Sequence, residues 1–215
     1  MISILLAGFL GLTGTLLGTR LAIGLLVKKG YGQFVRDDGP KELLKKAGTP
    51  TMGGTVIIVA TVVAYLLAHL LVLRPPTASG LLLLFLFVGL GFVGFLDDWI
   101  KISRARSLGL DSKQKLALQT VIAALFAVAA LNFPDARGVT PATAAISFLR
   151  DLPWFTLPVV VAVLWIMFII AAMSNGANLT DGLDGLLAGV SALVFAAYTI
   201  LNLWQYDRAC FANSP

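Results

Sequence analysis

The sequence predicts an all-α, polytopic membrane protein with six transmembrane helices and its N-terminus outside. Three observations carry that prediction. Of 215 residues, 58% are hydrophobic and only 13% charged, with a mean hydropathy of +0.90, whereas a soluble domain carries about 25% charged residues. Several uninterrupted apolar runs approach the ~20 residues that a bilayer span needs. The Lys and Arg residues are concentrated in alternate segments between those runs.

The runs lie at about 1–27, 52–73, 80–96, 115–131, 156–173 and 185–203. Arg20 falls inside the first, which is long enough to tilt and lets the arginine snorkel to the headgroup layer. No basic stretch precedes that run and no small-residue cleavage site ends a short one, so a signal peptide is not expected. Segments 28–51 and 97–115 hold eleven basic residues: Lys28, Lys29, Arg36, Lys41, Lys45, Lys46, Lys101, Arg104, Arg106, Lys113 and Lys115. The opposite face holds four, Arg74, Arg137, Arg150 and Arg208. The bias makes 28–51, 97–115 and 174–184 cytoplasmic. It also accounts for the net charge of +5 without nucleic acid, since no basic helix or aromatic-studded groove is present.

Other classes fall away quickly. One cysteine, Cys210, forms no internal disulfide, and one histidine, His69, builds no His-rich zinc site. No acid lies in the middle of a span, which argues against a proton relay or ion path. Segment 132–155, with Pro134, Pro141 and Pro153, reads as an outer loop with room for a short interfacial helix. Residues 1–215 read as one membrane domain.

The polar information sits in the three cytoplasmic segments. In the first, KKGYGQFVRDDGPKELLKKAGTPTMGG, Asp38-Gly39-Pro40 marks a turn and Thr49-Pro50 breaks any helix before the next begins. Thr51 and the open backbone at Gly53-Gly54 offer donors to an anion at a helix N-terminus, with Lys46 close by as a point charge. The plainer account is a basic loop attracting anionic lipid, with the glycines serving close helix packing. In the second, FLDDWIK, adjacent carboxylates on a helix point about 100° apart, and Asp97 shares a face with Lys101 at i, i+4. One acid can then reach a metal while the other faces a substrate, and such a pair suits Mg²⁺, a hard ion that also takes water and phosphate oxygens. The alternative is a solvated helix end with a salt bridge. Two acids at a helix C-terminus oppose the macrodipole, however. In the third, SNGANLTDGLDG, Thr180 or Asp181 as a cap for the sixth span is the ordinary reading. It covers Asp181 but not the whole set: Asn178, Asp181 and Asp184 recur every three residues and on a helix form one polar stripe of oxygens. Metal-assisted phosphoryl transfer from a nucleotide diphosphate to a lipid uses all of these parts.

Together, GQFVRDDGP with KKAGTPTMGG, FLDDWIK and NLTDGLDGL, in that order and on one face, closely resemble the phospho-N-acetylmuramoyl-pentapeptide transferase family, within the polyprenyl-phosphate N-acetylhexosamine-1-phosphate transferases. The resemblance runs from about residue 1 to 205. It implies an Mg²⁺-dependent enzyme of the bacterial cytoplasmic membrane that transfers phospho-MurNAc-pentapeptide from its UDP-linked donor to undecaprenyl phosphate. UMP is released, and lipid I of peptidoglycan synthesis is formed. Carried over by position, Asp97 and Asp98 are the catalytic acids, and Lys46 and Lys101 the lysines near the phosphates. Asn178 and Asp98 are assigned to Mg²⁺, Asp184 to uracil, and Thr51, Asn175 and Asp181 to the nucleotide pocket. Membrane lipid is the other implied partner, and a homodimer is compatible with the family.

Two departures stand out. Leu43 takes the place of a usual histidine. The family's later Mg²⁺-binding aspartate and histidine-rich loop have no counterpart, because Asp207 is on the outer side and His69 lies in the second span. About ten family spans of ~20 residues would alone take roughly 200. The resemblance thus implies an N-terminal part of the fold, inactive by itself. The competing expectations are a sister enzyme transferring GlcNAc-1-phosphate to a polyprenyl carrier, and a transporter or non-catalytic scaffold. The GTPTMGG run, Lys101 and Thr180 favour the muramoyl-pentapeptide enzyme over the first. The ordered polar segments are unexplained by the second.

Overall fold

The computed structural model describes residues 2–32, 49–104, 108–134, 138–147, 151–181 and 185–212. Six helices account for most of them: α1 (Ile2–Lys28), α2 (Gly53–Leu71), α3 (Ala78–Ser103), α4 (Ser112–Asn132), α5 (Val159–Thr180) and α6 (Leu186–Ala212). All six are long and apolar enough to cross a membrane. In hydrocarbon a backbone has to satisfy its own polar groups, and for chains of this composition the helix does so within each segment. The expected all-α architecture and its six spans are therefore present.

Helices α1 and α2 pack as an antiparallel pair, and small residues set how closely. A Cβ placed on Gly11 would stand 3.7 Å from Ala64 Cβ, and one on Gly14 would stand 3.4 Å from Ala60 Cβ. One on Gly18 would come within 2.9 Å of Val56. The three glycines thus face Ala64, Ala60 and Val56, one helical turn apart on α2, as small-residue stripes do where no hydrophobic drive exists between helices in lipid. Gly89 of α3 meets Ile122 of α4 in the same way, at 3.0 Å. Most of the fully buried residues are alanines, among them Ala64, Ala68, Ala123, Ala127 and Ala130. Large apolar side chains such as Leu5, Leu16, Leu83 and Phe92 are exposed.

Several boundaries differ from the hydropathy reading. Helix α3 continues past residue 96 to Ser103, and α5 past 173 to Thr180. Hydropathy marks the hydrocarbon layer, whereas the hydrogen-bond ladder runs on into the headgroup layer. Asp97 and Asp98 consequently lie more than a turn before the end of α3, so the macrodipole opposes them less than a C-terminal placement implies. Thr180 caps nothing: its hydroxyl donates back to the Gly176 carbonyl at 2.8 Å in the last turn of α5. The next helix begins after Gly185, whose φ of 79° is a left-handed turn. Between α4 and α5, where the sequence left room for a short interfacial helix, an antiparallel hairpin forms from β1 (Ala145–Ser147) and β2 (Asp151–Thr156), pairing Ala145 with Thr156 and Ser147 with Asp151. With only two strands, each has a free edge, which tolerates the missing N–H of Pro153.

The chain divides into two compact units, 1–167 and 168–215. Asp97, Asp98, Lys101 and Thr51 belong to the first, and Asn175, Asn178 and Asp181 to the second.

Candidate active site at the end of the third span

The site begins where α1 stops. Gly30, with φ 69°, turns the chain in the left-handed region after the last helical turn, and the Tyr31 N–H closes back on the Leu26 carbonyl at 3.0 Å. Gly32 then pairs with Pro50 in an isolated antiparallel bridge, and the Thr51 N–H reaches the Tyr31 carbonyl at 3.4 Å. The two ends of the first polar segment are thereby joined. Thr51 is held just before Met52, which enters α2 in a left-handed conformation without a side-chain cap.

Aromatic rings attach this junction to α3. Tyr31 meets Trp99 edge-on at 6.5 Å, and Trp99 stacks on Phe95 at 6.1 Å. Lys29 Nζ stands 5.9 Å from the centre of the Tyr31 ring.

Placed by these contacts, the Thr51 hydroxyl donates to Asp98 Oδ2 at 2.8 Å. On α3, Lys101 Nζ lies 2.6 Å from Asp97 Oδ2 and 3.4 Å from Asp98 Oδ1, so one ammonium bridges both acids. The remaining oxygen of Asp97, Oδ1, accepts the Leu110 N–H at 2.8 Å. That amide belongs to the turn leading into α4, where Asp111 forms a capping box with Gln114. The Asp97 side chain is 14% exposed and that of Asp98 31%. The solvated helix end allowed by the sequence does not describe Asp97.

Two carboxylates and one lysine leave a net negative charge facing a hydroxyl. Hard oxygen donors of this kind fit Mg²⁺, which characteristically takes one or two carboxylates and completes its sphere with water and phosphate oxygens. Asp98 is the better placed of the two, because its Oδ1 has only the longer contact with lysine. Among the described residues no group of three or more His, Cys, Asp or Glu side chains gathers as a metal cage.

Gly53 and Gly54 open α2 with nothing within 4 Å of where a Cβ would stand, among the described residues. Among the described residues, no close helix packing accounts for that pair. In the second unit, Asn175 donates through Nδ2 to the Ala171 carbonyl at 2.8 Å, and the Asp181 N–H donates to the Ala177 carbonyl at 3.1 Å. Asn175, Asn178 and Asp181 are solvent-exposed. The helix ends at Thr180, so of the stripe expected of Asn178, Asp181 and Asp184, Asn178 lies in the helix and Asp181 just past its end. Lys46 and Asp184 lie outside the described residues.

Residues 80–213 match the family model described as Glycosyl transferase family 4. The chain belongs to that family. The match takes in the acid pair, Lys101 and the third polar segment. Residues 46–58, from Lys46 through Thr51 to Gly54 and beyond, match the phospho-N-acetylmuramoyl-pentapeptide-transferase signature 1. Curated relatives carry the same name. The chain is 56% identical to the phospho-N-acetylmuramoyl-pentapeptide-transferase of Cutibacterium acnes, over 97% of this chain and 58% of the relative. It is 55% identical to that of Streptomyces griseus, over 96% and 58%, and 54% identical to that of an Arthrobacter species, over 98% and 60%. The chain thus spans about three fifths of the length of these relatives. Six apolar helices and these relatives identify a multi-pass bacterial membrane protein of the glycosyl transferase class.

Sequence reasoning missed two parts of the site. The Leu110 amide is a backbone donor, which no residue type advertises. The Tyr31–Trp99 contact joins aromatic residues that also suit a membrane-interface belt, so their identity alone gave no reason to pair them.

Proposed function

We propose that the protein carrying this chain transfers phospho-MurNAc-pentapeptide from the UDP-linked donor to undecaprenyl phosphate, releasing UMP and forming lipid I. The observation that carries the reading is the Thr51–Asp98 hydrogen bond, which brings the signature segment at 46–58 onto the acid pair of α3. A GlcNAc-1-phosphate transferase has no comparable claim on that signature.

A phosphate oxygen of the lipid attacks the β-phosphorus of the donor. The bond from that phosphorus to the oxygen bridging the two phosphates breaks, and the electron pair leaves with UMP. A phosphate monoester has its second pKa near 6, so the attacking group is largely dianionic at neutral pH and a base adds little. Lys101, and with it Lys46, offsets charge growing on the leaving phosphate. Thr51 orients Asp98. When bound, Mg²⁺ would neutralise phosphate charge, with Asp98 and Asn178 as the residues of this chain assigned to hold it. Asn175, Asp181 and Asp184 serve the nucleotide, Asp184 toward uracil. Asp97 belongs to the catalytic constellation through Lys101.

In this reading 1–215 is a single transferase region of a longer active fold. Segments 28–51, 97–115 and 174–184 face the cytoplasm, where the donor is, and a homodimer is compatible with the arrangement. The test supplies labelled donor and undecaprenyl phosphate to membranes containing the protein. Lipid I and UMP are expected in equal amounts, and both fall sharply in Asp98→Asn at limiting Mg²⁺. Labelled GlcNAc appearing on the lipid in place of the muramoyl peptide refutes the assignment. A phosphorylated protein accumulating with donor alone refutes single displacement.

A further inference from the structure

The turn that follows α3 is anchored on one of the two acids, and the anchor divides the work between them. Both oxygens of Asp97 are occupied: Oδ1 by the Leu110 N–H at 2.8 Å and Oδ2 by Lys101 at 2.6 Å. To ligate a metal or take a proton, Asp97 has to release either the turn or the lysine. Asp98 is held less tightly: its Oδ2 accepts the Thr51 hydroxyl at 2.8 Å, but the side chain is more exposed and its Oδ1 meets Lys101 only at 3.4 Å.

Gly109 makes the anchor possible. A Cβ at that position would overlap the Asp97 carboxylate and stand 2.5 Å from the Asp97 carbonyl oxygen. The carbonyl is part of a helix backbone and cannot swing aside as a flexible side chain would. At its far end the turn is fixed by the Asp111 and Gln114 capping pair, with the Asp111 N–H donating to Gln114 Oε1 at 3.4 Å. The amide of Leu110 thus lies between Gly109, close against Asp97, and the capped start of α4.

We propose that Gly109 and the Leu110 amide are positioning elements: they hold Asp97 as a strut that fixes the Lys101 ammonium, and they leave Asp98 as the acid that meets the substrate. The proposal rests on the phosphoryl-transfer reading above. Its consequence is kinetic. A cation aimed at charge that appears only in the transition state raises kcat, and losing its aim lowers kcat and kcat/KM together while KM stays put. Misplacement by ~1 Å can cost as much as about a hundredfold.

The experiment introduces Gly109→Ala and, separately, Leu110→Pro, which removes the N–H, into the protein carrying this chain, with Leu108→Ala as a control in the same turn. Rates are measured in membranes with both substrates, alongside protein amount and thermal midpoint. We expect kcat to fall about tenfold or more in the first two variants, with KM for the UDP-linked donor within about twofold, and the control to match wild type. Hydrogen exchange at the Leu110 amide supplies a readout independent of turnover: it is slow in wild type and faster in Asp97→Ala. Wild-type turnover in folded Gly109→Ala and Leu110→Pro, or a loss confined to KM, overturns the proposal. So does equal Leu110 exchange with and without the Asp97 carboxylate, which decides the matter if the turn variants do not fold. Absence of transfer in wild type refutes the functional reading instead, while the exchange comparison still judges the anchor.

Discussion

Thr51 and Asp98, separated by 47 positions, are joined by a hydroxyl-to-carboxylate hydrogen bond of 2.8 Å. The bond is charge-assisted, roughly twice as strong as one between neutral groups. It is also a direct side-chain link between the signature segment and the acid pair. Thr51→Val keeps the shape and removes the donor, so transfer should fall about tenfold, the equivalent of about 1.4 kcal/mol. Thr51→Ser should recover most of it. Initial rates of lipid I formation compare the two, and equal rates for Val and Thr would mean that the hydroxyl is idle.

Lys101 touches both acids, which makes its removal the more damaging change. Lys101→Met leaves two neighbouring carboxylates facing each other without their shared cation, and the transition state without one of its charges. A loss of about a hundredfold in kcat is expected. Lys101→Arg should restore only part of it, because a planar fork does not place its charge where a compact ammonium does. The check is kcat for the three proteins at saturating donor.

The roles assigned to Asp98 and Asn178 make a metal-removal prediction. Chelation should abolish transfer and added Mg²⁺ should restore it. Asp98→Asn and Asn178→Ala should each raise the Mg²⁺ concentration needed for half-maximal rate by about tenfold, one ligand's worth of affinity in order of magnitude. A titration of rate against Mg²⁺ measures this. An unchanged midpoint in either variant removes that residue from the metal.

The six spans are legible in the sequence because hydropathy reports burial in hydrocarbon directly. Their ends are not legible, because α3 and α5 carry polar residues past the apolar layer without breaking the helix. Asp97 and Lys101 could be placed on one helical face from spacing alone. The bond to Thr51 could not, since it depends on the Gly32–Pro50 bridge closing a segment whose length says nothing about where it returns. The glycine stripe of α1 is present in the sequence as Gly11, Gly14 and Gly18, but a repeat of small residues does not name its partner. Only the packing of α2 shows that Val56, Ala60 and Ala64 receive it.

That stripe gives the last prediction. Gly14 lies where a Cβ would already touch Ala60 at 3.4 Å, so alanine is barely accommodated and leucine is not. Gly14→Leu has to spread α1 from α2, at a cost of about 1–3 kcal/mol for overpacking, and the thermal midpoint in detergent should fall by several degrees. Gly8 provides the comparison on the same helix, since nothing stands within 4 Å of its Cβ position among the described residues. Gly8→Leu should leave the midpoint unchanged or slightly raised, because leucine favours helix more than glycine does. The pair also separates packing from chemistry. Gly14→Leu shifts the α2 start, and with it Thr51, so its transfer rate should fall together with stability. Ala60→Gly introduced beside Gly14→Leu returns some of the lost room and should recover part of both. Equal midpoints for the Gly8 and Gly14 variants would mean that α1 does not pack on α2 through this stripe.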